Sequence, residues 1–170
     1  MDARNEGEAA SRKNRTTAER RSDRELVITR IFKGPARIVF EAWTKPELLK
    51  LWWAPKSTGL VLLSCEVDLR VGGGYRFEFG HAGSKTMAFF GRYIEVMPYS
   101  RLVWTNEESA DGAVTTVTFE EKGGETLLAM HELHPSKEAL DAAIAGMGGM
   151  EDGMAETFAQ LDELLATRRP

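Results

Sequence analysis

From Gly146 to Leu165 the chain reads GMGGMEDGMAETFAQLDELL, and Met147, Met150, Met154, Phe158, Leu161 and Leu165 recur at three- and four-residue spacing. Such spacing gathers them into one apolar stripe on a helix. Glu151, Asp152, Glu156, Gln160, Asp162 and Glu163 fall between them and suit a solvent face. The pattern predicts a helix over Gly149–Thr167, roughly 28 Å long at about 1.5 Å per residue. A strand of about eight residues has a similar length. A helix with one apolar stripe needs a surface to cover, and the preceding segments supply a sheet.

Those segments are strand-like. Leu26–Phe32, LVITRIF, is rich in β-branched and aromatic residues. Gly34-Pro35 ends it, and Pro35 suits the first turn of a helix that buries Ile38, Val39, Ala42 and Trp43. Thr44 and Glu47 have capping-box spacing, predicting a second short helix with Leu48, Leu51 and Trp52 on its apolar face and Pro55 as its stop. Strands are then expected at Gly59–Val67, Tyr75–Gly80, Lys85–Met97, Arg101–Asn106, Val114–Glu121 and Glu125–Leu133. Gly91 inside the third of these marks a bulge or bend. The links between strands are too short for parallel crossovers, so the sheet is an antiparallel meander. The fold class is α+β.

Alternation indicates the inner face. Tyr75, Phe77 and Phe79 share one side of their strand, and Val117 and Phe119 share one side of theirs. Leu128, Met130 and Glu132 also fall on one side. Glu132 stands out there, because a buried carboxylate is costly unless paired or protonated.

Composition narrows the function classes. The 170 residues carry a net charge of −4 with a pI near 5.5, which argues against a nucleic-acid partner. No apolar run reaches the ~20 residues of a membrane span, so no membrane partner is expected. The N-terminus lacks a secretory apolar core, and Cys65 is the only cysteine, so a cytoplasmic location is expected. Residues 1–23 contain no Val, Ile, Leu, Phe, Trp or Tyr and are expected to be a disordered or weakly ordered polar tail. Residues 24–168 are then a single domain.

The candidate chemistry is sparse. His131 and His134 stand three apart on a strand and point to opposite sides, so no metal site is expected. Gly72-Gly73-Gly74 lacks the Lys-Ser/Thr of a phosphate loop and reads as a turn, and no cofactor is expected. Cys65 has no neighbouring histidine and reads as packing. Glu132, with Arg76, Arg92 or Tyr93 as possible neighbours, is the best acid–base candidate.

The stretches ELVITRIFKGPARIVFEAWTKPELLKLWWAP, CEVDLRVGGGYRFEF, GRYIEVMPYSRLVWTNE and VTTVTFEEKGGETLLAM, followed by a closing helix, resemble a bacterial family. It is the activator-of-heat-shock-ninety-ATPase-like family of the START-like (SRPBCC) helix-grip superfamily. The similarity runs from about Glu25 to Ala166 and rests on Pro35, the Phe40–Thr44 run, the Trp52-Trp53 pair and Asp68-Leu69-Arg70. It implies a curved, seven-stranded antiparallel sheet gripping a long C-terminal helix, with two short helices after the first strand and a hydrophobic cavity between sheet and helix. Many members carry Gly-Trp near the start of the last helix, where this chain has Met147-Gly148-Gly149-Met150.

The function expected from that resemblance is binding of a hydrophobic or aromatic small molecule. Tyr75, Phe77, Phe79 and Phe119 would line the cavity from the sheet. Met130, Met150 and Met154 would complete it, with Glu132 and Trp53 at polar or rim positions. A chaperone-associated interaction module, tied to stress response, is the second expectation. A cyclase or hydrolase using Glu132 is the third, with binding favoured over catalysis. A monomer or a homodimer is expected.

Overall fold

Period-two burial runs along Glu25–Lys33 (β2), where Leu26, Ile28 and Phe32 lie in the core and Lys33 is exposed. The same rule builds Gly74–His81 (β4), Val114–Lys122 (β7) and Glu125–Leu133 (β8). The computed structural model describes residues 16–81, 84–108, 112–146 and 154–168. The remaining strands are Thr17–Arg20 (β1), Val61–Val67 (β3), Ser84–Met97 (β5) and Arg101–Thr105 (β6). The helices are Ala36–Thr44 (α1), Pro46–Trp52 (α2), Lys137–Gly146 (α3) and Ala155–Ala166 (α4).

The eight strands among the described residues form one curved antiparallel sheet in the order β1-β2-β8-β7-β6-β5-β4-β3. This is the helix-grip architecture with one strand more than the expected seven. The extra strand is β1, so order begins within the segment expected to be a polar tail. An edge strand is held by backbone pairing and needs no apolar side chains of its own. Here the Thr17 and Thr29 hydroxyls meet across the pair, Ala18 touches the core, and Arg20 bonds Asp141 of α3 at 2.6 Å. Residues 1–15 lie outside the described residues.

The β7–β8 hairpin closes through Gly123 (φ 61°) and Gly124 (φ 80°), between the paired residues Lys122 and Glu125. Two consecutive positive φ values define the primed turn that matches strand twist. The capping box expected at the second helix does not form. Pro46 takes the first helical position and leaves Lys45 extended (φ −92°, ψ 121°) as the N-cap. The Thr44 hydroxyl instead donates to the Phe40 carbonyl at 2.9 Å.

The closing helix also differs from expectation. It starts at Ala155, with Met154 as its N-cap, rather than at Gly149. Met147 and Met150 lie outside the described residues. A separate helix, α3, precedes it and was not expected. Leu140 is its only buried residue, so its sequence has no apolar stripe to announce it. Phe158, Leu161 and Leu165 of α4 are fully buried, and Phe158 packs edge-on against Phe32 at 5.5 Å.

Candidate functional site

One row of paired residues crosses four adjacent strands: Tyr93 opposes Trp104, Trp104 opposes Thr115, and Thr115 opposes Glu132. All four side chains line a pocket of about 740 Å³. Tyr75 and Phe77 of β4 and Phe89 of β5 extend this wall. Trp43 of α1 and Trp53, the residue after α2, face it from the helical layer. Ala139, Ala142 and Ala143 of α3 contribute small side chains that leave the space open.

The aromatic residues brace one another. The Trp53 ring lies 5.7 Å from Phe77 and 5.3 Å from Trp43, both edge-on. Trp43 in turn lies 6.1 Å from Trp104. Edge-on pairs at such separations favour the positive ring edge against the negative ring face.

Polar groups occupy two regions. In the first, the Tyr75 hydroxyl donates to the Thr105 carbonyl at 2.7 Å, close to Asn106 Oδ1 at 3.3 Å. Asn106 Nδ2 then donates to the Ala113 carbonyl at 2.7 Å and to Thr115 Oγ1 at 3.0 Å. In the second, Glu132 Oε1 lies 3.4 Å from His134 Nε2. The His134 side chain is 5% exposed as a residue, and its Nε2 has no hydrogen-bond partner among the described residues. Trp43 Nε1 is likewise buried without a partner among them. Unpartnered buried polar atoms on a pocket wall create a demand that a bound molecule can meet.

Burial pushes the Tyr75 phenol well above its ordinary range, and the charges of Glu108 and Glu107 add to the effect, as does the neighbouring Tyr93. Burial, with a smaller contribution from Cys65, does the same to Tyr93. Both phenols therefore remain neutral near pH 7. Burial also pushes the Cys65 thiol up to about 11, against the opposing charge of Lys50, so it is not a thiolate nucleophile at neutral pH.

Of the residues singled out from sequence, Trp53, Tyr75, Phe77, Met130, Glu132 and Met154 line the pocket. Phe79 and Phe119 are placed elsewhere. Phe79 packs against Phe89 at 5.6 Å toward the far end of β4, and Phe119 is covered by Phe40 and Trp43 of α1. Met150 lies outside the described residues. Of the basic neighbours suggested for Glu132, Arg76 pairs with Glu78 and Arg92 with Glu107. The basic group beside it is His134, which shares its side of the chain because the two stand two apart. His131 turns to Glu25 instead, and no cluster suited to a metal ion occurs among the described residues. Trp43, Tyr93, Trp104, Asn106 and His134 were not foreseen as pocket residues. Their placement follows from cross-strand register, which alternation within single strands does not supply.

The fold is shared with solved structures. A protein from Rhodobacter sphaeroides superposes with a TM-score of 0.81 at 26% identity, covering 89% of this chain and 99% of its own. One from Nitrosomonas europaea gives 0.76 at 25% identity, again covering 89% of this chain and 99% of its own. An AHSA1-like protein from Aeromonas hydrophila shares the fold with a TM-score of 0.61 at 21% identity, over 77% of this chain and 90% of that one. No match to the sequence is found among curated proteins. The family described as Activator of Hsp90 ATPase homolog 1-like protein matches residues 33–166, and with the register and helical cover described above the chain belongs to that family.

Proposed function

We propose that this protein binds an apolar, ring-bearing small molecule between the sheet and the helical layer, as a binding protein rather than a catalyst. The observation that carries this reading is the aromatic wall of Trp43, Trp53, Tyr75, Phe77 and Trp104 facing the small alanine side chains of α3 across about 740 Å³. That volume is in the range of small-molecule sites, which combine apolar walls with a few placed polar groups. The polar groups here are the Tyr75–Asn106–Thr115 network and the Glu132–His134 pair. A cytoplasmic role fits the composition, and no helix among the described residues is long and apolar enough to cross a membrane.

The test is a thermal-shift screen of aromatic metabolites, paired with native mass spectrometry of the freshly purified protein. Ligands that raise the melting temperature should also quench indole fluorescence, since three tryptophans line the pocket. If no compound shifts the melting temperature and no co-purified mass is detected, the reading fails.

Family membership supports a second reading, an interaction module for a chaperone ATPase. It predicts capture of the purified bacterial chaperone and a change in its ATPase rate, with neither affected by filling the pocket.

A further inference from the structure

Among the described residues the pocket wall carries Glu108, Glu132 and Glu138 and no lysine or arginine. Two basic side chains of neighbouring segments bond groups other than these three carboxylates. Arg24 donates through Nε to the His134 main-chain carbonyl at 2.9 Å, and Arg76 bonds Glu78 at 2.9 Å. The wall therefore joins a net negative charge to the electron-rich faces of indole and phenol rings. Both features attract positive charge and repel anions.

His134 adds a geometric demand. It is 5% exposed, lines the pocket, and leaves Nε2 unpartnered beside the Glu132 carboxylate at 3.4 Å. A neutral imidazole protonated on Nδ1 offers Nε2 as an acceptor. An acceptor next to a carboxylate makes a pair that one ammonium group, with several N–H donors, satisfies at once. A hydroxyl could also bridge the two, donating to one of them, but it would leave the three carboxylates without a countercharge. A carboxylate ligand would meet repulsion from all three.

We infer that the ligand is an organic cation, a primary or secondary amine on an apolar, ring-bearing body. Its ammonium N–H groups donate to Glu132 and to His134 Nε2, and its body rests against Trp43, Trp53 and Trp104. This rests on the binding reading above and names the ligand class for the same pocket.

Three probes that share one ring system and differ only in the polar group test it: naphthylmethylamine, naphthylmethanol and naphthoic acid, titrated calorimetrically into the full chain near neutral pH. The amine should bind at least about tenfold more tightly than the alcohol, since a hydrogen-bonded charge pair exceeds a neutral bond by that order. The acid should bind most weakly. Glu132→Gln should reduce amine affinity by about tenfold and change the alcohol's by less than about twofold. The exposed pair Glu108→Gln and Glu138→Gln supplies a second variant, expected to lower amine affinity while leaving the fold intact. If the alcohol or acid binds as tightly as the amine, or Glu132→Gln leaves amine affinity unchanged in a folded protein, the cation assignment is overturned while the pocket reading stands. If none of the three binds, both fall.

Discussion

The side-chain amide of Gln160 donates to the main-chain carbonyl of Trp52 at 3.1 Å, a buried contact between α4 and the last residue of α2. The same nitrogen reaches the Ala54 carbonyl at 2.8 Å, and Gln160 Oε1 accepts the Lys56 backbone N–H at 2.8 Å. Helix ends leave carbonyls without intrahelical partners. One glutamine therefore completes the end of α2 and ties the following turn to α4. Trp53 sits inside that clasped turn and projects its ring onto the pocket wall.

Gln160→Leu should therefore cost more than a surface change. The leucine keeps the bulk but leaves three backbone groups unsatisfied, each worth ~1–3 kcal/mol when buried, and partial rehydration brings the total to about 2–4 kcal/mol. Chemical denaturation would measure it. Trp53 should loosen at the same time, so the variant should bind a pocket ligand less tightly than its stability loss alone predicts. A variant with unchanged midpoint and unchanged ligand affinity would contradict the clasp.

Gly91 of β5 is approached closely from both neighbouring strands, β4 and β6. A Cβ there would lie 1.9 Å from the Thr105 carbonyl oxygen and 3.0 Å from the Tyr75 hydroxyl oxygen. The first clash is with backbone, which cannot rotate away as a side chain can. Gly91→Ala should cost at least ~2 kcal/mol and shift Tyr75 from its bond to Thr105. At Gly74 an added Cβ would lie 3.5 Å from the Gly91 oxygen, an ordinary contact, so Gly74→Ala should stay within ~1 kcal/mol of the parent. Equal stability losses in the two variants would remove the argument.

These positions also show what could be read before the fold was known. Alternation of Tyr75, Phe77 and Phe79 identifies the inner face because a half-buried strand must alternate. The stripe through Phe158, Leu161 and Leu165 identifies the gripped helix for the same kind of reason. What alternation omits is which strand opposes which. Phe119 and Trp104 have similar credentials in sequence, yet α1 covers the first and the pocket exposes the second. His134 is within reach of the sequence, because residues two apart share a side even where a strand is ending, and Glu132 stands out on an apolar face. β1 and α3 were not legible at all. One is an edge strand held by backbone pairing, the other a helix that buries only Leu140.

The acid response of the fold should be set partly at the start of α4. Glu156 accepts the Ser57 hydroxyl and the Ser57 backbone N–H, the latter at 2.9 Å, and these bonds hold its carboxyl below the ordinary range. Its place in the first turn of α4 also suits a negative charge. Asp141 is lowered likewise, first by its bond to Arg20 and then by Lys137. A carboxyl that is more acidic folded than unfolded stabilises the fold above its unfolded value, and that contribution is lost as pH falls through the folded value. Melting temperature should therefore be level near neutral pH and fall across the carboxylate range toward about pH 3. Glu156→Gln should melt lower at neutral pH and lose less on acidification, so its curve should converge on the parent's at the acid end. Both groups are exposed and screened, so the effect should shrink as salt is added. A Glu156→Gln protein that keeps the parent's full acid slope would mean that the Ser57 contact is absent in solution.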